Sequence, residues 1–433
     1  MRLYPPDSAP PGSTPPGSAP PGLAAPNSTG PISTPWLEPP SYWGELDAAT
    51  TELDPPFGVI SLPALAHNAH DLLRRAVGKP IRVASKSVRV RSVIESVLEL
   101  PGFAGVLAYT VPEANWLAET IDDVVVGYPS VDREAIRALA TNERNAARVT
   151  IMIDSLDQLD AVDAAVDAAH RETVRVCLEL ESSYLSPLLG RLGVYRSPMR
   201  TVEDAVLLAQ AVIDRPGFRL VGIMSYEAQI AGLGNRPPGK PMLGRVIDGM
   251  QARSFAELLE RRAAVVVAVR NLAELEFVNG GGTGSIERAA SDDSVTEIAA
   301  GSGLFGPHLF DTYSHFSPAP AAAFALSVVR KPTPQIATIL GGGWIASGPP
   351  GIDRMPQLAW PDGLEFVPRE MAGEVQSPVT GAAAARLNVG DRVWLRHAKA
   401  GELSEHLNAF VIVEQGSIIE TVPTYRGEGK AFL

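Results

Sequence analysis

Several things are scarce in this 433-residue chain, and each scarcity narrows what it can be. There is one cysteine, Cys177, inside the apolar run VRVCLEL, so no internal disulfide can form and a disulfide-stapled secreted scaffold is excluded; the residue reads as a buried core thiol. Positive charge is in deficit, 37 Lys and Arg against 49 Asp and Glu, for a net charge of −12, which makes nucleic acid and anionic membrane poor partners. Long apolar runs are missing too. The longest, such as AAVVVAVR, fall far short of the roughly 20 residues a membrane helix needs, so no membrane association is expected. The start of the chain has neither a basic segment nor a continuous apolar one, so no signal peptide is expected and the protein reads as cytoplasmic.

What the chain has in abundance divides it in three. Residues 1–45 repeat a PPGS-like unit in PPDSAPPGSTPPGSAPPGLAAP, a composition that buries too little apolar surface to offset the entropy of ordering, and are expected to form a disordered tail. A proline-rich ligand would look similar, but an inert tail is the plainer account. Residues 46–318 alternate strand-like and helix-like runs. After FGVISL, Ser61 and Pro63 open the helical pattern PALAHNAHDLLRRAV. Eight strand-like runs follow: IRVASK, GVLAY, DVVVGY, RVTIMI, VRVCLEL, RLVGIMSY, LEFVNG and TEIAAGS. Thr110 with Glu113 and Ser155 with Gln158 fit the capping box that opens helices between them. This is the rhythm of a (β/α)8 barrel. Residues 319–433 change texture to short strand-like runs (AFALSVV, PQIATILGGG, DRVWLRHAK, AFVIVEQGSIIETV) broken by Gly, Pro and Asp, a β-rich domain in which EQGS reads as a hairpin turn. The loop GWIASGPPGIDRMPQL could line a site, although an ordinary surface loop explains it as well.

The barrel reading puts Lys86 at the carboxyl end of the first strand, on the face where barrels carry their chemistry. NGGGTGS follows the seventh strand and GSG the eighth, where barrels commonly hold phosphate. Gly281, Gly282 and Gly301 let backbone amides approach an anion, and Thr283 and Ser302 add hydroxyls. A rim lysine facing a phosphate cradle suggests pyridoxal 5'-phosphate. Its aldehyde condenses with a neutral lysine amine, which a neighbouring cation such as Arg89 favours, and its phosphate anchors the ring across the barrel mouth.

Taken together, RVASKSVRVRSVIESVL, GVLAYTVPEANWLAE, the RLGV at 191–194, FVNGGGTGS and TEIAAGSGLFGPHLFDTY resemble the fold-type III pyridoxal phosphate enzymes. Within them the chain is most similar to the D-threonine aldolase and D-serine dehydratase branch, which includes amino acid deaminase/aldolase proteins. The resemblance covers residues 50–433 and implies a (β/α)8 barrel of the alanine racemase N-terminal type followed by a β-rich domain, in a homodimer with active sites near the interface. It assigns Lys86 the covalent link to the cofactor and Gly281, Gly282, Thr283, Gly301 and Ser302 the phosphate. Arg191 matches an arginine near the cofactor ring, and Tyr226 an aromatic at the end of the sixth strand. In metal-dependent relatives a histidine and, two residues on, a cysteine or aspartate bind a divalent ion. Here His397 matches the histidine but Lys399 stands at the second position, so Glu402 is the candidate replacement ligand for manganese, magnesium or zinc, and His397 a catalytic candidate. The implied activity is a lyase on a β-hydroxy D-amino acid, by retro-aldol cleavage of a D-threonine-like substrate or dehydration of a D-serine-like one. The alternatives are an amino acid racemase on the same barrel and a non-catalytic pyridoxal phosphate-binding protein, which would have little need of the extra β-domain.

Overall fold

The computed structural model describes Leu3, residues 34–349 and residues 351–433. At its centre eight parallel strands close into a barrel: β1 (Ile81–Ala84), β2 (Phe103–Ala108), β3 (Val124–Val126), β4 (Val149–Ile153), β5 (Val174–Glu179), β6 (Phe218–Ser225), β7 (Phe277–Gly280) and β8 (Glu297–Ala300). All eight are the strands expected from the sequence. The ring closes where Ile298 and Ala300 of β8 pair with Ile81 and Val83 of β1. Because such strands are covered on both faces they read as near-continuous β-branched runs, and β3 and β4 are buried along their whole length. Alternate side chains point inward, where Val125, Met152, Cys177, Val221, Met224 and Phe277 form a separate apolar cluster. Burial pushes the Cys177 thiol far above its usual range, in keeping with a core role. Below this cluster, Arg82 spans Glu297 at 2.7 Å and Asp123 at 2.8 Å, and Asn279 donates to Glu297 at 2.8 Å, so the barrel floor is tied by charge-assisted hydrogen bonds.

The outer helices are set by the same arithmetic. Leu62–Ala76 buries Leu62, Leu65, Ala69, Leu72 and Ala76, a three-and-four spacing that gives one apolar face to the barrel. Of the two predicted capping boxes, Ser155 with Gln158 is present, the Gln158 side chain accepting from Ser155 N at 3.0 Å, whereas at Thr110 only half forms: Thr110 Oγ1 accepts from Glu113 N at 3.3 Å, but the Glu113 carboxyl turns to Tyr109 N. Among the described residues no helix is long and apolar enough to cross a membrane.

Packed against the barrel is a nine-stranded sheet centred on Ala322–Thr333, which pairs with Ile336–Leu340 and with Arg392–Arg396. Gln415 and Gly416, both at positive φ, turn the predicted hairpin between Ala409–Glu414 and Ser417–Pro423. Two parts of the expected layout differ. Phe57–Ser61, grouped by sequence with the barrel, is built into this sheet, antiparallel to Ala322–Thr333 and parallel to Ala409–Glu414. Pro39–Ala49, which begins inside the segment expected to be a tail, is a helix, because Tyr42, Trp43 and Leu46 fall on one face and bury against Val59, Ala325 and Trp394. The remainder of that expected tail, apart from Leu3 and residues 34–38, lies outside the described residues.

Candidate active site

Lys86 sits in a single helical turn, Ser85–Ser87, immediately after β1. The turn is pinned from below, where Ser85 Oγ donates to Leu107 O at 3.1 Å, and from the short helix Glu402–His406 of the C-terminal region, where Ser404 Oγ donates to Val88 O at 2.7 Å. The next β-strand end contributes Tyr109, whose amide donates to the buried carboxyl of Glu113 at 2.7 Å; burial pushes Glu113 up to about 7. Lys86 Nζ lies 3.2 Å from the hydroxyl of Tyr128, which follows β3. Burial alone would raise the Tyr128 phenol, but the Lys86 ammonium and the Arg196 guanidinium outweigh it and hold the phenol below its ordinary value. Arg89, expected to lend charge to the lysine amine, instead donates from Nε to Lys86 O at 3.0 Å and pairs with Glu405.

Across the mouth, the two glycine loops converge as expected. Thr283 Oγ1 and Ser302 Oγ are 3.2 Å apart, so their hydroxyls bridge the loops, and Gly303 N donates to Thr283 Oγ1 at 3.1 Å. Gly281 adopts φ +86°, a left-handed conformation that favours glycine. Any Cβ on Gly301 would collide with the carbonyl of Ala84, the last residue of β1, while one on Gly282 would come within 3.1 Å of the Tyr226 ring. Tyr226 thus lies against the cradle, and Arg196 closes the circuit with its guanidinium 5.2 Å from the Tyr128 ring and 5.3 Å from the Tyr226 ring. Lys86, Tyr226, Gly281, Gly282, Thr283, Gly301 and Ser302 therefore share one rim. Residues that keep Cβ atoms out of the cradle, with two hydroxyls at its edge and an amine opposite, fit pyridoxal phosphate.

Arg191 is placed differently. It lies in a hairpin strand, Gly190–Leu192, with its guanidinium 2.6 Å from Glu181 Oε2 and 4.4 Å from the Tyr195 ring. Arg196, five residues later, is the guanidinium that faces the tyrosines of the rim. Sequence reasoning also missed the support beneath the cradle. Glu227, just after Tyr226, accepts from Ser285 Oγ at 2.8 Å and from Gly281 N at 3.4 Å, and it is paired with the fully buried Arg262 at 3.3 Å. Arg262 is also 3.2 Å from Asp292, so one guanidinium holds two buried carboxylates. Glu179, at the end of β5, faces the same mouth, and burial pushes it up to about 7 against the pull of Arg196. The strand-end positions of Tyr128 and Glu179 were readable signals; the glycine-loop support was not, because Arg262 lies within the 30-residue helix Pro241–Arg270.

The second sheet closes the mouth from above. Gly401 packs on Lys86 so tightly that a Cβ there would collide with the Lys86 carbonyl, which brings the turn carrying Lys399 over the lysine. Lys399 Nζ donates to Ser347 O at 3.1 Å. Its ammonium is pushed below its usual range by burial first, then by Arg354 and Lys86, with Glu402 and Asp353 opposing. The loop that holds Ser347 is packed rather than free, with Trp344 stacked on His406 at 4.8 Å and His308 Nε2 2.8 Å from Met355 O. His397 is buried beside Phe305, makes only a weak contact with the main chain of Ala322, and has no hydrogen bond of good geometry at either ring nitrogen. Burial lowers its pKa to about 4, Glu402 acting in the opposite sense, so the ring is neutral at neutral pH.

The proposed metal pair does not come together as a donor set. The Glu402 carboxylate accepts from Lys399 N at 2.6 Å and from Ala400 N at 2.8 Å, capping its own turn, and Lys399 brings a cation to the place where a second ligand would stand. Among the described residues no group of three or more His, Cys, Asp or Glu could hold an ion. These residues do not fit a divalent site.

A closed parallel barrel with a lysine after its first strand and glycine loops after its seventh and eighth is the arrangement of the fold-type III pyridoxal phosphate proteins. The family model for the alanine racemase N-terminal domain matches residues 60–308, and the chain belongs to that family. It is 28% identical over 265 residues to a 3-hydroxy-D-aspartate aldolase of Paracoccus denitrificans (strain Pd 1222), covering 59% of this chain and 61% of the relative. It is 26% identical over 272 residues to a D-threonine aldolase of Arthrobacter sp, covering 60% of this chain and 64% of that one, so the match spans less than two thirds of either relative. Among solved structures, D-threonine aldolase from Filomicrobium marinum superimposes with a TM-score of 0.70 at 20% identity over 87% of this chain and 96% of that one, a likeness of fold.

Proposed function

We propose that the chain is a pyridoxal phosphate-dependent lyase acting on a β-hydroxy D-amino acid. The observation that carries this reading is the juxtaposition of Lys86 Nζ, 3.2 Å from the Tyr128 hydroxyl, with the hydroxyl-lined glycine cradle on the same rim. The named relatives, a 3-hydroxy-D-aspartate aldolase and a D-threonine aldolase, support the substrate class. When bound, the cofactor supplies electron withdrawal from Cα of the amino acid.

The chain's own groups have defined tasks around that chemistry. Lys86 provides the amine that holds the cofactor aldehyde, and Thr283, Ser302 and the backbone of Gly281, Gly282 and Gly301 hold its phosphate. Tyr128, its phenol acidified by Lys86 and Arg196, exchanges a proton with Lys86 Nζ. His397, neutral and with no hydrogen bond of good geometry at either ring nitrogen, accepts the proton of the substrate β-hydroxyl. In retro-aldol cleavage the Cα–Cβ bond breaks, Cβ leaves as an aldehyde and Cα is reprotonated. In dehydration the Cα proton and the β-hydroxyl leave as water, and hydrolysis yields a keto acid and ammonia. The second sheet, closed over the mouth through Gly401, excludes solvent, a part that a simple carrier has no need of.

The test starts from purified protein loaded with pyridoxal phosphate. Borohydride is expected to fix the cofactor on the peptide containing Lys86, and Lys86→Ala to lose both the fixation and the turnover. D-threonine and 3-hydroxy-D-aspartate are expected to yield an aldehyde or a keto acid with ammonia. An enantiomer as the sole product would replace the lyase reading with a racemase, and fixation on another lysine would remove its basis.

A further inference from the structure

The turn that carries Lys86 ends in a residue of an unexpected kind. Ser85 O accepts from both Val88 N and Arg89 N at 2.9 Å, and Arg89 adopts φ +52°, a left-handed conformation that glycine or asparagine ordinarily takes at such an end. An arginine there is held by what it touches. Its Nε donates to Lys86 O at 3.0 Å, its guanidinium pairs with Glu405, and its guanidinium carbon stands 4.9 Å from the centre of the Tyr109 ring. The main chain of the turn finds its partners much later in the sequence. Ser404 Oγ donates to Val88 O at 2.7 Å, and Tyr425 N donates to Arg89 O at 2.9 Å. Tyr425 is in turn fixed to the second unit of the barrel. It is 1% exposed and its ring packs at 4.9 Å on Trp116 of the helix Val111–Leu117. Phe432 completes the group at 5.5 Å from Trp116, 5.8 Å from Tyr425 and 6.5 Å from Tyr109. Lys430 N donates to Tyr425 O at 2.8 Å, which folds residues 425–430 into a loop against the barrel.

We infer that residues 401–405 and 424–432 form a clamp that positions Lys86, so that covalent capture of the cofactor, as distinct from its binding through the phosphate, depends on them. This rests on the reading of Lys86 as the residue that holds the cofactor. The two ends of the cofactor are served by separate supports. The phosphate loops are braced by Arg75, which donates to Thr283 O at 2.7 Å, and by Glu227 with Arg262. The lysine turn is braced by Ser404, Glu405 and Tyr425, with Gly401 seated on the Lys86 carbonyl. A residue with a Cβ is less stable in the left-handed conformation than in the right-handed one, so the turn relaxes when its braces are cut. Lys86 O then loses the Arg89 Nε that holds it, and the amine leaves its place 3.2 Å from the Tyr128 hydroxyl. In capture the Lys86 nitrogen bonds the aldehyde carbon, and the aldehyde oxygen departs as water with the two amine hydrogens. A displacement of about 1 Å is enough to slow a step between positioned groups. Arg89, Ser404, Glu405, Tyr425 and Phe432 act through Lys86 and are positioning residues.

The test compares two ligands on the purified full chain. Pyridoxal phosphate can link to Lys86, whereas pyridoxine 5'-phosphate, with an alcohol in place of the aldehyde, fits the same cradle and cannot. Phe432→Ala loosens the later segment without altering the turn. Arg89→Gly keeps a residue suited to the left-handed conformation and removes both side-chain ties. In each variant the rate of covalent capture, followed by absorbance and fixed with borohydride, is expected to fall on the order of 10–100-fold. Fluorescence titration is expected to give an unchanged affinity for pyridoxine phosphate, and Arg89→Lys, which keeps a cation for Glu405, to recover part of the rate. Capture at the unmodified rate in both Phe432→Ala and Arg89→Gly refutes the clamp and leaves the cofactor reading in place. A loss of pyridoxine phosphate affinity that matches the loss of capture, as general loosening of the fold would produce, also refutes it. Failure of the unmodified protein to capture pyridoxal phosphate on Lys86 removes the cofactor reading and the clamp with it.

Discussion

Replacing Arg262 by methionine probes the foundation of the glycine cradle. Arg262 is fully buried and lies 3.3 Å from Glu227 and 3.2 Å from Asp292, each of which is 1% exposed. Methionine fills much of the same volume but leaves two buried carboxylates without their cation. Removing one partner of a buried pair costs about 3–5 kcal/mol, because the charge left behind keeps its desolvation penalty without the attraction that offset it. The loss should be felt at the cradle as well, since Glu227 accepts from Ser285 Oγ and Gly281 N and would shift on losing its guanidinium. We expect Arg262→Met to lower the urea midpoint of the barrel transition by an amount equivalent to about 3–5 kcal/mol, and to weaken pyridoxal phosphate binding in fluorescence titration. Neutralising the partners together, in Arg262→Met with Glu227→Gln and Asp292→Asn, should recover most of the stability, because no unpaired charge remains. A loss below about 1 kcal/mol in the single variant, or a combined variant no more stable than the single one, would refute the reasoning.

Gly282→Ala is expected to bring its Cβ to 2.9 Å from Ala231 Cβ and 3.1 Å from the Tyr226 ring, costing about 1–3 kcal/mol and weakening cofactor binding, as read by thermal melts and titration. Gly301→Val should do more: its Cβ strikes the Ala84 carbonyl at the seam between β8 and β1, so the barrel itself should lose cooperativity, and a stable barrel with merely weaker cofactor binding would contradict the packing described. His397 has its pKa lowered to about 4 from 6.5. The unfolded chain therefore binds the extra proton first, and stability that is complete above pH 6.5 is lost as pH falls toward 4, by about 3 kcal/mol. Glu113 and Glu179, both raised to about 7, work the other way, losing stability as pH rises through 4.5 to 7, so the difference between the unmodified protein and His397→Gln isolates the imidazole. A difference that does not change between pH 7 and pH 4 would mean that the ring is not buried neutral.

The barrel was legible because its signals are local. The strands carry apolar, largely β-branched runs, several helices carry their own cap, and the strand-end positions of Lys86 and of the glycine loops follow once the eight strands are counted. What escaped depends on partners distant in sequence. Nothing in FGVISL distinguishes a barrel strand from one that pairs with Ala322–Thr333, and nothing in the helix Pro241–Arg270 marks Arg262 as the support of a loop that follows it. Arg191 and Arg196 are only five residues apart, and the chain bends between them at Gly193, φ +124°, so that Arg196 and not Arg191 faces the rim. Lys399 was recognised as a departure from a metal-binding pattern, but its neighbourhood with Lys86 and Arg354 required the second sheet to be folded over the mouth. The helix Pro39–Ala49 was hidden by the composition of the segment before it, although its Tyr42, Trp43 and Leu46 gave it a face to bury.

The placement of Phe57–Ser61 has a consequence in time. The strand is made before any of the barrel, yet its hydrogen-bonding neighbours are Ala322–Thr333 on one side and Ala409–Glu414 on the other, Gly58 standing opposite both Phe324 and Phe410. During synthesis it must wait, with both edges unpaired, until nearly the whole chain has emerged, while the eight strands between can begin to associate with near neighbours in sequence. The last strands to be made thus complete the sheet begun by the first. Residues 319–433 expressed alone would lack a central strand and present two open edges, and a chain interrupted shortly before residue 409 would expose the same strand to its neighbours in solution. The arrival of Ala409–Glu414 is the step that converts a waiting edge into an interior strand.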